Sequence, residues 1–279
     1  MIEYKKKRFP KTRVATIDIC TIGLEKHHIP AFIEIDVTES RKKIRENKRE
    51  GKRISFTSWL IKVIGDTIKD HETVASFLNG KRELIVFHDI NVSMIVEKSL
   101  NGQKIPIPLV IEKVQERSVE SICKQIADAR SHNLEESEIV VQSSSAGVSA
   151  QDVVNPNIKR VNSWAERAYY YLPGFIRRYF WRYLLRHPKI AFSKMGNVSV
   201  TSLGMVGSAN GWFVPVSVHP VCFGVGKVTK KPMVVEDRVE IREILNMTVL
   251  MDHDVIDGAP MARFIGDLTS RVCHCYGLT

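Results

Sequence analysis

Two stretches decide the fold: VTSLGMVGSANGWFVPVSVHPVCFGVGKV, residues 200–228, and MDHDVIDGAPMARF, residues 251–264. In the first, β-branched and aromatic residues recur in runs (NVSVTSLG from 197, WFVPVSV, VCFGVGKV) separated by glycines and prolines, which reads as successive strands. Asn246 to Met251 alternates, with Met247, Val249 and Met251 on one face. From Gly258 to Cys273, Met261, Phe264, Ile265, Leu268 and Val272 follow the helical spacing. Between that strand and that helix stands Asp252-His253-Asp254-Val255-Ile256-Asp257-Gly258, a His-x-x-x-Asp-Gly frame. Asp257 is expected to cap the helix and Gly258 to relax the backbone. His253 is then a histidine at a strand terminus, where an imidazole titrating near working pH suits a general base. Asp252 and Asp254 flank it and are expected to act on it electrostatically. The competing reading of the frame alone is a surface histidine in an acidic turn.

Working outward, residues 13–28 read as a helix broken by Ile29 and Pro30, and Phe32 to Val37 as a strand. Residues 38–50 read as an exposed helix with Thr38 as N-cap, and Ser55 to Lys69 as an apolar helix. ELIVFHD and INVSMIVE are two β-rich runs. Asn101-Gly102 marks a turn, and prolines 106 and 108 place the strand after it at an edge or a bulge. Residues 118–130 are another amphipathic helix. Strands and helices mix without strict βαβ alternation, so the expected architecture is an α/β two-layer sandwich with a mixed β-sheet.

The texture changes over about 131–190. Residues 131–157 are polar, with Ser143-Ser144-Ser145 at the centre, and read as a loop. Residues 158–190 hold nine of the chain's 22 aromatics and a basic row, Arg178, Arg182 and Arg186, one stripe on a helix. Pro173 suits its start and Pro188 its stop. This segment is read as an insertion that packs as a helical layer. Its alternative role is a lid or docking surface, with membrane contact through 164–186 the less favoured version.

The chain has 279 residues, 44% of them apolar and 26% charged, which excludes disordered, collagen-like and coiled-coil classes. Lys and Arg total 41 against 31 Asp and Glu, a net charge of +10 that favours an anionic partner without naming it. The run Lys5-Lys6-Lys7-Arg8 is read as solvated, so no nucleic acid is expected. Five cysteines, odd in number and loosely spaced, point to a reducing compartment. With no apolar run after the basic start and no membrane-length stretch, a cytoplasmic location is expected. Cys273-His274-Cys275 lacks a metal-ligand frame, and no metal is expected.

The quoted stretches, together with HHIPAFIEIDVTE, FTSWLIKVIGDTIKDHETVASFLNG, INVSMIVE and IPIPLVIEKVQERSVESICKQIADAR, resemble in collinear order the catalytic domain of the dihydrolipoamide acyltransferases of 2-oxoacid dehydrogenase complexes, covering about residues 10–130 and 190–275. That resemblance implies a chloramphenicol acetyltransferase-like fold and a single catalytic domain over 1–279. It also implies a homotrimer or larger trimer-based assembly with the active site between subunits.

The implied chemistry is acyl transfer between coenzyme A and a thiol such as dihydrolipoamide. His253 deprotonates the thiol, and Thr201, with Ser202 as fallback, donates to the oxyanion. Asp257 supports the loop through an arginine near the domain start, for which Arg13 is the candidate. The chain departs from the family in having Thr201 where serine is usual and Asp254 where arginine usually follows the histidine. It also shows no lipoyl or subunit-binding domain, so the expected acceptor is either a lipoyl group on a separate protein or a free acceptor. Two alternatives stand beside this: a stand-alone acyltransferase for a small hydroxyl or amine acceptor, and a trimeric scaffold without turnover.

Overall fold

The computed structural model describes residues 2–7, 9, 12–100, 103–131, 169–204 and 210–278. In chain order the elements are α1 (Thr12–Gly23), β1 (His28–Asp36), α2 (Thr38–Arg49), α3 (Phe56–Asp70), β2 (Phe77–Asn79), β3 (Glu83–Ile85), β4 (Val92–Leu100), β5 (Gln103–Ile111) and α4 (Val119–Ser131), then α5 (Gly174–Leu185), α6 (Pro188–Met195), β6 (Val198–Ser202), β7 (Val221–Val235), β8 (Arg238–Asp252) and α7 (Gly258–Cys273). The expected loop at 131–157, beyond Ser131, lies outside the described residues, as does Trp164.

Six strands form one sheet in the order β1-β8-β7-β6-β4-β5, and β2 with β3 make a separate ribbon. β6 runs parallel to both β4 and β7, while the other neighbours are antiparallel. The sheet is therefore mixed, as expected. Alternate residues of its strands (Leu245, Met247, Val249 and Met251 in β8) join Trp59 and Ile64 of α3, Ile122 of α4 and Phe264 and Leu268 of α7 in one core. Truncating a side chain as deeply buried as Phe264 to alanine costs about 3–5 kcal/mol. α3 is capped by Ser55, which accepts from the Ser58 amide while the Ser58 hydroxyl accepts from the Ser55 amide. Trp59 Nε1 donates to the Tyr276 carbonyl at 2.8 Å and ties α3 to the chain end.

The sheet's other face is crossed by residues 211–219. There Gly224 lies so close that a β-carbon on it would stand 3.1 Å from the Phe213 carbonyl oxygen. This stretch contains WFVPVSV, read from sequence as a strand. It forms none: Pro215 removes a ladder donor at its centre, and it packs across the sheet instead of extending it. Beside it lies a second core of Ile22 from α1, Phe77, Trp181 and Leu184 from α5, Ala191 and Met195 from α6, and Val218.

Several local readings change. Pro30 does not end a helix but sits inside β1, an edge strand where a missing donor is tolerated. Thr38 is the first helical residue rather than the cap; its hydroxyl donates to Asp36 Oδ1 at 2.6 Å and accepts from the Glu243 amide. Pro188 opens α6 at a position whose N–H has no helical partner, instead of stopping α5. Prolines 106 and 108 fall in β5, the far edge of the sheet, as expected.

α5 is fastened to α1 by a buried carboxylate. Asp18, 1% exposed, receives Arg177 Nε at 2.6 Å and the Tyr169 hydroxyl at 2.9 Å, and Trp181 Nε1 donates to that hydroxyl. Burial pushes the Tyr169 phenol up to about 12. Asp18 Oδ1 has no partner among the described residues. At the opposite extreme, the β7–β8 hairpin overshoots the helix layer, and Val234, Val239 and Ile241 are 72%, 73% and 75% exposed.

Candidate active site

β8 ends beside the start of β1, with Asp252 opposite His28. The chain then turns through residues 253–255 before α7 begins at Gly258. The turn is held from several sides. The Asp252 amide donates to the Pro220 carbonyl at 2.9 Å, and the His253 amide to the His27 carbonyl at 3.0 Å. The Val255 amide returns to the Asp252 carbonyl, and the Asp254 amide donates to Asp252 Oδ1 at 3.2 Å. Asp252 is 1% exposed, and Lys26 Nζ stands 2.5 Å from its Oδ2. His27 Nδ1 lies 2.9 Å from Asp254 Oδ1, and that hydrogen bond raises the His27 imidazole above its usual value. His28 Nε2 donates to the His219 carbonyl at 2.9 Å, yet burial holds its pKa below the ordinary value.

Beneath this layer His219 is buried. Its Nε2 lies 3.1 Å from the Met195 carbonyl and its Nδ1 3.2 Å from Ser217 Oγ. Burial pushes its pKa down to about 4, so it is a neutral structural group. Neighbouring Cys222 is pushed up to about 11 by burial and stays a thiol, unsuited to nucleophilic work.

His253 itself is exposed, and its ring has no hydrogen-bond partner among the described residues. The acids flanking it do not pair with it: Asp252 is committed to Lys26 and Asp254 to His27. The turn thus presents a free imidazole on a backbone fixed by four amides.

The support expected from Asp257 is arranged differently. Asp257 occupies the N-cap position of α7, but its side chain makes no cap hydrogen bond; only its carbonyl accepts, from the Met261 amide. Among the described residues it pairs with no cation, and Arg13 is exposed on α1 without an ion pair. The buried carboxylate–cation tie of this loop is Asp252–Lys26, not Asp257–Arg13. Gly258 has no positive φ, and a β-carbon there would meet nothing within 4 Å, so nothing within the described chain requires glycine.

Thr201 and Ser202 are half-buried at the end of β6, opposite Gly224 and Val225 of β7. The strand closes tightly there: a β-carbon on Gly204 would stand 2.3 Å from the Gly226 carbonyl oxygen. Val198, Val221 and Met251 lie abreast on β6, β7 and β8. Thr201 is three residues to one side of that line and His253 two to the other. Five residue steps and two strand spacings separate them by roughly 19 Å. One chain therefore holds the two groups but does not bring them together.

Lys26, His27, His28 and His219 were not singled out by sequence reasoning. The available signal was EKHHIP at the start of β1, since the start of an edge strand must lie beside the end of its antiparallel neighbour. Among the described residues, the one group with metal-ligand spacing is His88, Asp89 and Glu116, away from this turn, and Lys113 Nζ stands 3.6 Å from Asp89 Oδ2 where a cation's charge would be needed.

Comparison with known proteins identifies the family and the fold. The sequence profile described as 2-oxoacid dehydrogenases acyltransferase (catalytic domain) matches residues 12–143 and 185–276, leaving out most of the segment read as an insertion. The dihydrolipoyllysine-residue acetyltransferase component of pyruvate dehydrogenase complex from Corynebacterium glutamicum is 21% identical over 267 residues, covering 94% of this chain and 30% of that protein. The lipoamide acyltransferase component of branched-chain alpha-keto acid dehydrogenase complex from Bacillus subtilis is 21% identical over 271 residues, covering 93% and 50%. The chain thus spans a third to a half of the length of these relatives. Among solved structures, a probable dihydrolipoamide acetyltransferase from Listeria monocytogenes superposes with a TM-score of 0.66 at 17% identity, covering 98% of this chain and 96% of that one. The cubic core of a pyruvate dehydrogenase multienzyme complex gives 0.63 at 18%, covering 98% and 94%. From the match over most of its length, this chain belongs to the family of 2-oxoacid dehydrogenase acyltransferase catalytic domains.

Proposed function

We propose that this chain transfers acyl groups between coenzyme A and a dihydrolipoyl thiol carried by another protein, and that it works as a homotrimer. The observation that carries the reading is the free imidazole of His253 on its clamped turn, inside the region matched by the family. The His253 ring removes the proton from the attacking thiol. The thiolate adds to the thioester carbonyl, and the resulting oxyanion accepts a hydrogen bond from Thr201 of the partner subunit. Collapse breaks the carbon–sulfur bond to the leaving thiolate, which takes the proton back from the imidazolium. A second copy is part of this reading because Thr201 and His253 stand roughly 19 Å apart within one chain. Donors of the Thr201 kind contribute about 3 kcal/mol where they have been removed. Asp252, held by Lys26, acts by fixing the turn.

The test is thiol release from acetyl-coenzyme A with dihydrolipoamide as acceptor, beside small hydroxyl and amine acceptors. His253→Ala should lower acceptor-dependent turnover by about 100- to 10,000-fold. Turnover with only the small acceptors would move the reading to the stand-alone branch. Equal rates for wild type and variant with every acceptor would overturn it in favour of a scaffold.

A further inference from the structure

α5 buries one side, and among the described residues its other side is uncovered. Trp181 and Leu184 face the second core, and Arg177 reaches Asp18. On the outer side Phe175, Tyr179, Phe180 and Tyr183 are 67%, 67%, 53% and 49% exposed, continuous with Tyr171 at 79%. These positions recur at i, i+4, i+5 and i+8 and form one stripe along a helix about 18 Å long. Residues 169–195 contain four arginines and two lysines and no Asp or Glu. The acid that α5 reaches along its outer edge, Glu25, already accepts Arg182 Nε at 3.0 Å, and the arginines hold its carboxyl below the usual range.

We propose that this outer face of α5 docks on an anionic lipid bilayer, lying in the plane of the headgroups with the aromatic stripe inserted and Arg178 and Arg186 on lipid phosphates. Three observations choose this occupant. Apolar aromatics beside a rim of arginines, with the neighbouring acid Glu25 already paired with Arg182, match a surface that is apolar below and anionic above. Tyrosines along the stripe place phenols at a boundary that is wet on one side and dry on the other. A second copy meeting the same face about a two-fold axis would set Arg178 and Arg186 against their own copies, with no acid of residues 169–195 to pair them. No helix among the described residues is long and apolar enough to cross a membrane, so the contact is peripheral. The inference stands apart from the proposed reaction. It has a consequence for it all the same, because Arg182 grips Glu25 in the turn whose next residues, Lys26 and His27, hold Asp252 and Asp254.

The test is flotation of the full chain with phosphatidylcholine vesicles, with and without phosphatidylglycerol. Wild type should float with the anionic vesicles and not with the neutral ones. Phe175→Ser with Tyr179→Ser should weaken partitioning by about tenfold or more. Arg178→Gln with Arg186→Gln should weaken it by about fivefold per charge. Circular dichroism and oligomeric state should match wild type in both, since these side chains lie outside the cores. Failure of wild type to float, flotation indifferent to both variants, or capture by single-stranded nucleic acid without flotation would overturn the proposal. A changed oligomeric state in the aromatic variant would also overturn it and make the stripe an interface between copies.

Discussion

Two carboxylates in this molecule are equally buried and each is held by one cation, yet they are finished differently. Asp252 has both oxygens occupied, one by Lys26 and one by the Asp254 amide. Asp18 takes both of its donors, Arg177 and Tyr169, on one oxygen and leaves the other bare. The first carboxylate ends β8 and sets the turn that presents His253. The second joins α1 to α5 across a segment that the family profile does not match. A fully satisfied buried charge fixes geometry, whereas a half-satisfied one fastens two elements at a standing cost. The difference separates a place where position matters from a place where attachment is enough.

The largest test of that contrast is Arg177→Met. It leaves Asp18 buried against a lone phenol, and removing one partner of a buried pair costs about 3–5 kcal/mol. Calorimetry should show the loss, while turnover measured below the transition stays near wild type. A collapse of turnover at full folding would show that the α5 layer shapes the site after all.

Next comes pH. His219 titrates near 4 in the folded chain and near 6.5 when unfolded. Above 6.5 both states are neutral and the group contributes nothing. As pH falls from about 6.5 to 4 the unfolded chain binds a proton that the folded chain refuses. Stability should therefore fall by about 3 kcal/mol across that window. Urea midpoints measured through it should slope less in His219→Asn.

The smallest stability effect is expected at Asp252→Asn, about 2 kcal/mol, because Lys26 is 23% exposed and its freed charge can be hydrated. Its effect on turnover should be larger than its effect on folding, since a displacement of about 1 Å at the turn costs about a hundredfold in rate. Unchanged turnover would remove the distinction between the two carboxylates.

The same contrast explains what was legible beforehand. β6, the end of β8, α3, α4 and α7 follow from period because each is decided by neighbours in sequence. The mixed sheet followed from the absence of strict alternation. For the support of the His253 turn, the frame pointed to Asp257, and Asp252 was read only as a flanking acid acting on the imidazole. Its partner Lys26 lies 226 positions away, and no local pattern announces a contact of that span. WFVPVSV carries strand residues in strand rhythm, and only the glycines of β7 beneath it reveal that it lies across the sheet. In α5 the helix was legible but its orientation was not. The usual rule would turn the aromatics inward, but Asp18 draws Arg177 in and leaves Phe175, Tyr179 and Tyr183 facing outward.

The β7–β8 hairpin extends this reasoning to the cell's chemistry of numbers. Its apolar ribbon, Val234, Val239 and Ile241, is covered by nothing in the described chain. In the proposed trimer, copies that shelter such ribbons bind only the folded form, and mass action then couples folding to abundance. Dilution acts on that chain much as a mild denaturant does, and the rate of its synthesis becomes one of the determinants of how firmly it holds its shape.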